Sequence, residues 1–231
     1  MPASPAISAS LAAHYTERLR THGAVPQGVD WGPDAADHTL RLDRMLDVLR
    51  LDVPLATRPS LLDVGCGFGS LLERIQARGL EVDYHGIDVA PAMIEAARAQ
   101  HPGGSFAVAD GAALALDRRF DFVVCNGVLT QKLQHSMRDM TDYAHTLIRS
   151  MYEHATVGIA FNVMSTHVNF MAPNLYYRSP VELLAWCLQE LSPRVRLDHA
   201  YPLFEYTLYV YRDDAPNMMY GAHRRADGAE R

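Results

Sequence analysis

An aspartate followed by three alternating glycines is the densest chemical signal in the chain: Asp63-Val64-Gly65-Cys66-Gly67-Phe68-Gly69. The apolar pair Leu61-Leu62 leads into it, and a helical pattern starts at Ser70. Glycines at such a strand-to-helix turn let the backbone bend sharply and come close to a bound ligand. The ligand then lies outside the carboxyl ends of the strands, where the first turn of the helix has free N–H groups. A dinucleotide loop reads GxGxxG and cradles a pyrophosphate. Here the third glycine comes one residue earlier, and the Asp63 carboxylate repels phosphate and attracts a cation.

Three further polar groups fall at strand ends. Asp88 closes the run Val82–Ile87. A carboxylate there can accept from both hydroxyls of a ribose, and it equally suits capping of the helix that begins near Pro91. Val89 and Met93 behind it offer apolar faces to a flat base. Asp110-Gly111 follows the run Ser105–Ala109, where an aspartate either accepts from an exocyclic amine or simply turns the chain. Asn126 and Gly127 stand at the end of the run Phe120–Asn126. Cys66 and Cys125 read as small packing residues and Cys187 falls in an apolar helix; the three form no CxxC pair and no zinc spacing.

These groups need a scaffold, and the pattern of the chain supplies an alternating one. Strands are expected at Leu61–Val64, Val82–Ile87, Ser105–Ala109, Phe120–Asn126, Val157–Met164, Arg194–Asp198 and Glu205–Arg212. Helical spacing runs through Ser70–Arg78, Pro91–Gln100, Met137–Met151 and a segment after Pro180. Such alternation implies an α/β protein with a mostly parallel sheet and helices on both faces. In the last strand Tyr206, Leu208 and Val210 face one way and Thr207, Tyr209 and Tyr211 the other, which suits an antiparallel edge pair. Ahead of the sheet, residues 1–10 read as frayed and Leu11–Arg20 as a short helix. A turn-rich piece from Gly23 to Asp34 follows, then a second helix from Ala35 to Leu51, closed by Pro54 and Pro59. The expected organisation is a helical lid over 1–55, a sheet domain over 56–212 and a polar, disordered tail over 213–231.

In order and spacing, the glycine loop, Asp88, Asp110 and the Asn126-Gly127 pair resemble the class I S-adenosylmethionine (SAM)-dependent methyltransferases, from Ser60 to Leu129. The resemblance implies a Rossmann-like, seven-stranded, mostly parallel sheet with an antiparallel last strand and an N-terminal helical lid. It implies SAM as the bound cofactor. Gly65, Cys66 and Gly67 would then lie along its methionine part, with Asp63 near the ammonium and Asn126 and Gly127 beneath. Asp88 would hold the ribose, Val89 and Met93 would flank the adenine, and Asp110 and Gly111 would face its amine. The acceptor pocket would fall between the N-terminal helices and the late loops. Arg41 suits either pairing with the SAM carboxylate or an exposed helix face. Trp31 reads as a lid residue, and Tyr15 as either a cover or a helix-packing ring.

The stretch Phe161–Tyr177 leaves the ligand-bearing end of the fifth expected strand and is rich in aromatic, Met and amide side chains. Tyr176 there suits a cation–π face for the sulfonium, or a lid packed on Trp186 and Phe204. His167 is the first general-base candidate and His135 the second. No HxxxH or His/carboxylate spacing marks a catalytic metal. The expected activity is methyl transfer to a small molecule. The segments Gly28-Val29-Asp30-Trp31 and Glu205–Tyr211 resemble methyltransferase-like proteins of bacterial biosynthetic clusters, which implies specialised metabolism. A second expectation is closure of SAM on itself by its own amine to azetidine-2-carboxylate, with release of methylthioadenosine. It follows from a resemblance to the azetidine-2-carboxylate synthases and would use Tyr176, Asn162 and Asn126. A third is a SAM-binding protein without catalysis.

Composition narrows the partners. The formal net charge is −6 with no long Lys/Arg run, so nucleic acid is a poor partner and a small molecule the expected one. Met1–Ala13 lacks a basic start and a long apolar run, and no stretch approaches the roughly 18 apolar residues of a membrane span. A cytoplasmic protein with no membrane partner is expected.

Overall fold

The computed structural model describes residues 4–32, 34–49 and 58–212. The expected tail over 213–231 lies outside the described residues, as do Pro54 and the last residues of the expected second helix. Eight strands form one sheet: β1 (Ser60–Val64), β2 (Asp83–Asp88), β3 (Phe106–Val108), β4 (Phe120–Cys125), β5 (Ala155–Ser165), β6 (Tyr177–Arg178), β7 (Val195–Asp198) and β8 (Glu205–Tyr211). The order across the sheet is β3-β2-β1-β4-β5-β8-β7, with the two-residue β6 paired to the far end of β5. β1 to β5 are mutually parallel and β8 runs against β5. The expected Rossmann-like sheet with its reversed last strand is therefore present, with β7 rather than β8 at the edge.

Six α-helices among the described residues cover it: α1 (Ser4–His22), α2 (Ala35–Leu46), α3 (Ser70–Ala77), α4 (Pro91–Gln100), α5 (Met137–His154) and α6 (Pro180–Glu190). The central strands read as continuous apolar runs because both faces are covered. Leu61 and Leu62 of β1 are fully buried, and every residue of β8 is buried. The alternation along β8 sorts its side chains into two cores. Tyr206, Leu208 and Val210 pack with α5 and α6, while Tyr209 and Tyr211 pack with α2 and α3. α5 starts at Ser136, whose hydroxyl accepts from Asp139 N at 3.1 Å, and it buries Met140, Tyr143, Ala144, Leu147, Ile148 and Met151 on one face. A serine cap of this kind contributes about 1 kcal/mol.

Residues 4–10 are helical, not frayed, and this corrects the expectation. Ile7 and Leu11, one turn apart on α1, are buried in the same core as α5, and α1 packs on both α4 and α5. α2 ends at Leu46 and tightens into a 3-10 turn at Asp47–Leu49. The phenol hydroxyl of Tyr209 donates to Arg44 O at 2.8 Å, tying the end of α2 to the sheet.

Candidate functional site

A cleft opens at the carboxyl ends of β1 to β4, where the chain order reverses between β1 and β4. This is the ligand position for an open parallel sheet. Counted out to its open mouth, the cleft holds about 890 Å³ of empty space. It is lined by the whole glycine loop from Gly65 to Phe68, by Asp63, Asp88, Val89, Met93, Asp110 and Gly111, and by Asn126, Gly127 and Val128. Tyr15 and Trp31 line it from the N-terminal segment, and Tyr15 also packs against the core. Of the cofactor-binding residues expected from the sequence, Arg41 alone is absent from this lining.

The loop turns where glycine is required. Gly65 has φ of 75°, and a Cβ there would stand 2.2 Å from Val128 Cγ2. Gly65 N and Cys66 N both donate to Ile87 O, at 2.8 and 2.9 Å, so the loop is stitched to the end of β2. Asp88 tightens the same stitch: its Oδ2 accepts from Gly67 N at 3.0 Å and its Oδ1 from Ala90 N at 2.8 Å. The capping role and the cleft position thus coexist in one carboxylate. Burial pushes the Asp88 carboxyl up to about 6, against these backbone donors. Asp63 is buried beside it, and Tyr84 OH donates to its Oδ2 at 2.8 Å. Burial pushes Asp63 up to about 7; the Tyr84 hydroxyl opposes the rise and Asp88 adds to it. Two carboxyls strained toward neutrality in one cleft favour a ligand that carries positive charge.

Asp110 Oδ1 accepts from Ala112 N at 2.9 Å and caps the 3-10 turn Gly111–Ala113, and the residue lines the cleft. Asn126 Oδ1 is buried and has no hydrogen-bond partner among the described residues. Cys66 and Cys125 are free and buried, and burial pushes both thiols up, away from thiolate chemistry. No group of three or more His, Cys, Asp or Glu placed to hold a metal ion occurs among the described residues.

The N-terminal segment is held by charge. Asp30, in the left-handed region at φ 61°, pairs with His14 Nε2 and with Arg18 Nε at 2.6 Å, and accepts from Gln131 Nε2 at 3.1 Å. Gln131 Oε1 in turn accepts from Asn174 Nδ2 at 3.0 Å. The N-terminal segment is therefore fastened to the segments after β4 and after β5. Arg41 neither reaches the cleft nor sits free: its Nε donates to Glu205 Oε2 at 3.0 Å.

None of the three residues expected to be catalytic lines the cleft. Tyr176 is fully buried in the core with Leu183, Cys187 and Tyr206, its hydroxyl donating to Thr141 Oγ1 at 3.2 Å. Asn162 is buried beneath the cleft and supports it from below. His167 is exposed, with its ring 6.2 Å from that of His199, and does not line the cleft. His135 is likewise outside the lining. Of the packing expected for the Phe161–Tyr177 stretch, Trp186 lies against the core that holds Phe161, Val163 and Tyr176, and Phe204 does not. Trp186 stacks on His145 at 4.0 Å, and Phe204 is 61% exposed.

The lining also includes Leu11, Val29, Leu42, Phe68, Tyr143 and Leu147, for which no site role is expected from the sequence, and His38, one of the polar residues of the N-terminal segment where the acceptor pocket is expected. His38 is the basic residue among the lining side chains. Burial, then Arg41, hold its imidazole below the usual range, while Glu73 opposes them. Its spacing from Leu42 marks one face of α2, but nothing in the sequence shows that this face meets the glycine loop.

Comparison with known proteins agrees with this geometry. A methyltransferase domain family matches residues 61–151. A protein of Mycobacterium tuberculosis assigned as a methyltransferase is 33% identical over 153 residues, which cover 65% of this chain and 92% of that one. A trans-aconitate 2-methyltransferase of Methylobacterium radiotolerans is 38% identical over 84 residues, covering 36% of this chain and 32% of that enzyme. In fold, the chain is similar to magnesium protoporphyrin IX methyltransferase of Synechocystis with bound S-adenosylhomocysteine. The TM-score is 0.62 at 16% identity, over 90% of this chain and 99% of that one.

Proposed function

The chain belongs to the class I SAM-dependent methyltransferases, and from that premise we propose that it moves the methyl group of SAM to an oxygen, nitrogen or carbon nucleophile of a small, uncharged molecule. The observation that carries this reading is the cleft itself. It joins two buried carboxyls, a glycine loop and an unpartnered Asn126 oxygen under a lid, in a concave, largely apolar setting with a few convergent polar groups, as small-molecule sites have. SAM brings an ammonium and a sulfonium to those carboxyls. Asp88, with lone pairs left beyond its two backbone donors, suits the ribose hydroxyls, and Val89 and Met93 suit the adenine. His38 as the single basic lining residue leaves no track for a phosphate backbone. The name of one relative gives trans-aconitate, a small molecule, as its acceptor, which supports small size here and not absence of charge.

The chemistry asks little of side chains. The acceptor's lone pair attacks the methyl carbon in line with the carbon–sulfur bond, whose electron pair returns to sulfur as S-adenosylhomocysteine leaves. The acceptor proton passes to water or to a base. Holding the two reactants in line supplies most of the acceleration. A largely apolar cleft under a closed lid also suits a step in which the sulfonium loses its charge. The setting in specialised metabolism rests on the resemblance of the Gly28–Trp31 and Glu205–Tyr211 segments alone.

Tyr176, the ring expected over the sulfonium in self-cyclisation, is in the core. The aromatic side chains of the cleft are Tyr15, Trp31, Phe68 and Tyr143. Methyl transfer is the reading that the names of the relatives support, and we retain it. Incubation with methyl-labelled SAM and a pool of small metabolites, followed by mass spectrometry, tests it. Labelled, methylated product with S-adenosylhomocysteine is the expected result. Methylthioadenosine with azetidine-2-carboxylate from SAM alone would replace methyl transfer by cyclisation.

A further inference from the structure

Five residues from five segments close a ring beneath one wall of the cleft. Gly127 N donates to Asn162 Oδ1 at 2.8 Å, and Asn162 Nδ2 donates to Glu205 Oε1 at 2.9 Å. Arg41 donates to the other oxygen of the same carboxylate. The Arg41 guanidinium lies 4.1 Å over the centre of the Trp31 ring. Trp31 closes the circuit on Gly127, so tightly that a Cβ on Gly127 would stand 2.5 Å from the indole. Of the five, Trp31 and Gly127 reach the cleft; Asn162, Glu205 and Arg41 do not.

The energetics make Glu205 the keystone. It is 1% exposed, and the Arg41 side chain is 12% exposed. A carboxylate so deep needs its cation and its hydrogen-bond donors. Its two oxygens divide the task. One takes its donor from Asn162 on β5, which holds the turn after β4. The other takes its donor from Arg41 on α2, which holds the lid tryptophan. Glu205 thus joins the floor of the cleft to its cover, and it opens a strand that is otherwise without acidic residues.

We propose that Glu205, Arg41 and Asn162 are positioning residues that dock the Trp31 lid onto the Gly127 turn and so close the cleft over SAM. The inference rests on the reading of this cleft as the SAM site. The ring keeps Gly127 N–H for itself and aims the neighbouring Asn126 oxygen at the ligand. Loss of one link loosens both the floor and the cover.

Trp31 reports on the ring directly. With Trp186→Phe it becomes the sole tryptophan of the chain. Its emission is followed by stopped-flow while SAM binds and is displaced by excess S-adenosylhomocysteine. Arg41→Met keeps the length of the side chain and removes its donors and charge; Arg41→Lys keeps the charge. In Arg41→Met, SAM dissociation is expected to quicken about tenfold or more, the loss of one charged hydrogen bond. The SAM-dependent change in Trp31 emission is expected to vanish, and Arg41→Lys to restore part of both. Glu205→Gln is the second variant, because its amide cannot accept from both donors, and the same changes are expected. A wild-type dissociation rate and emission change in both variants would overturn the proposal even if their melting temperatures fell. A Trp186→Phe parent that binds no SAM would instead overturn the reading of the cleft.

Discussion

Replacing Asp63 by Asn and titrating SAM across pH tests the charge beneath the glycine loop. The Asp63 carboxyl is pushed up by burial to about 7, from an ordinary value near 3.8. SAM is cationic, so it prefers the ionised form. Above about pH 7 that form is already in place and affinity stands at its plateau. At pH 6 about one Asp63 in ten is ionised, so affinity falls about tenfold, or about 1.4 kcal/mol. Asp88, pushed up to about 6, steepens the fall at lower pH. Wild-type protein at pH 6 should therefore release close to one proton on binding, seen by calorimetry in two buffers of different ionisation enthalpy. Asp63→Asn keeps the size and an acceptor for Tyr84 but never carries the charge. Its affinity should stay at or below the wild-type pH 6 value and be nearly flat between pH 6 and pH 8. The unliganded protein should show the opposite sign. A folded value raised above the unfolded one adds stability that is whole below about pH 4. That stability is lost as pH rises through about 7, by up to about 1.4 kcal/mol per unit. A flat wild-type profile, or an Asp63→Asn profile that overlays it, would refute the reasoning.

Gly127→Ala puts a Cβ into the Trp31 ring at a φ of 87°, and should cost about 1–3 kcal/mol of stability while weakening SAM binding. Thermal melts and a SAM titration check it, and an unchanged affinity would mean that Trp31 does not close the cleft. Tyr176→Phe removes one hydrogen bond, to Thr141, and should cost about 1 kcal/mol in a denaturant melt. Methyl-transfer rate should not change; a loss of rate would return Tyr176 to the reacting atoms. His167→Ala should leave both rate and stability as they are, and a displaced pH profile would show that the loop folds over the cleft.

What could be read from the sequence was local. Asp63 and the glycines stand within seven consecutive residues, and Asp88, Asp110 and Asn126 each follow an apolar run that ends where a strand ends. Such signals survive because a parallel sheet delivers every strand end to one edge. What escaped was set by contacts distant in sequence. Arg41 reads as a helix cation until Glu205, 164 residues later, takes its donor. Tyr176 sits in an aromatic run at the correct end of the sheet. Yet the two-residue strand that follows it, too short to show a period, leads the chain into α6 and turns that ring to the core. At the start of the chain, Ile7 and Leu11 carry the helical spacing, but small residues around them hide the one stripe that α5 buries.

The central claim is that SAM lies in the cleft with its ribose on Asp88. Isothermal titration of SAM into the wild-type protein and into Asp88→Asn tests it most directly. One SAM per chain is expected, with a loss of about 1–3 kcal/mol in the variant, roughly five- to 150-fold in affinity. Equal affinity in the two proteins would place SAM elsewhere and contradict it.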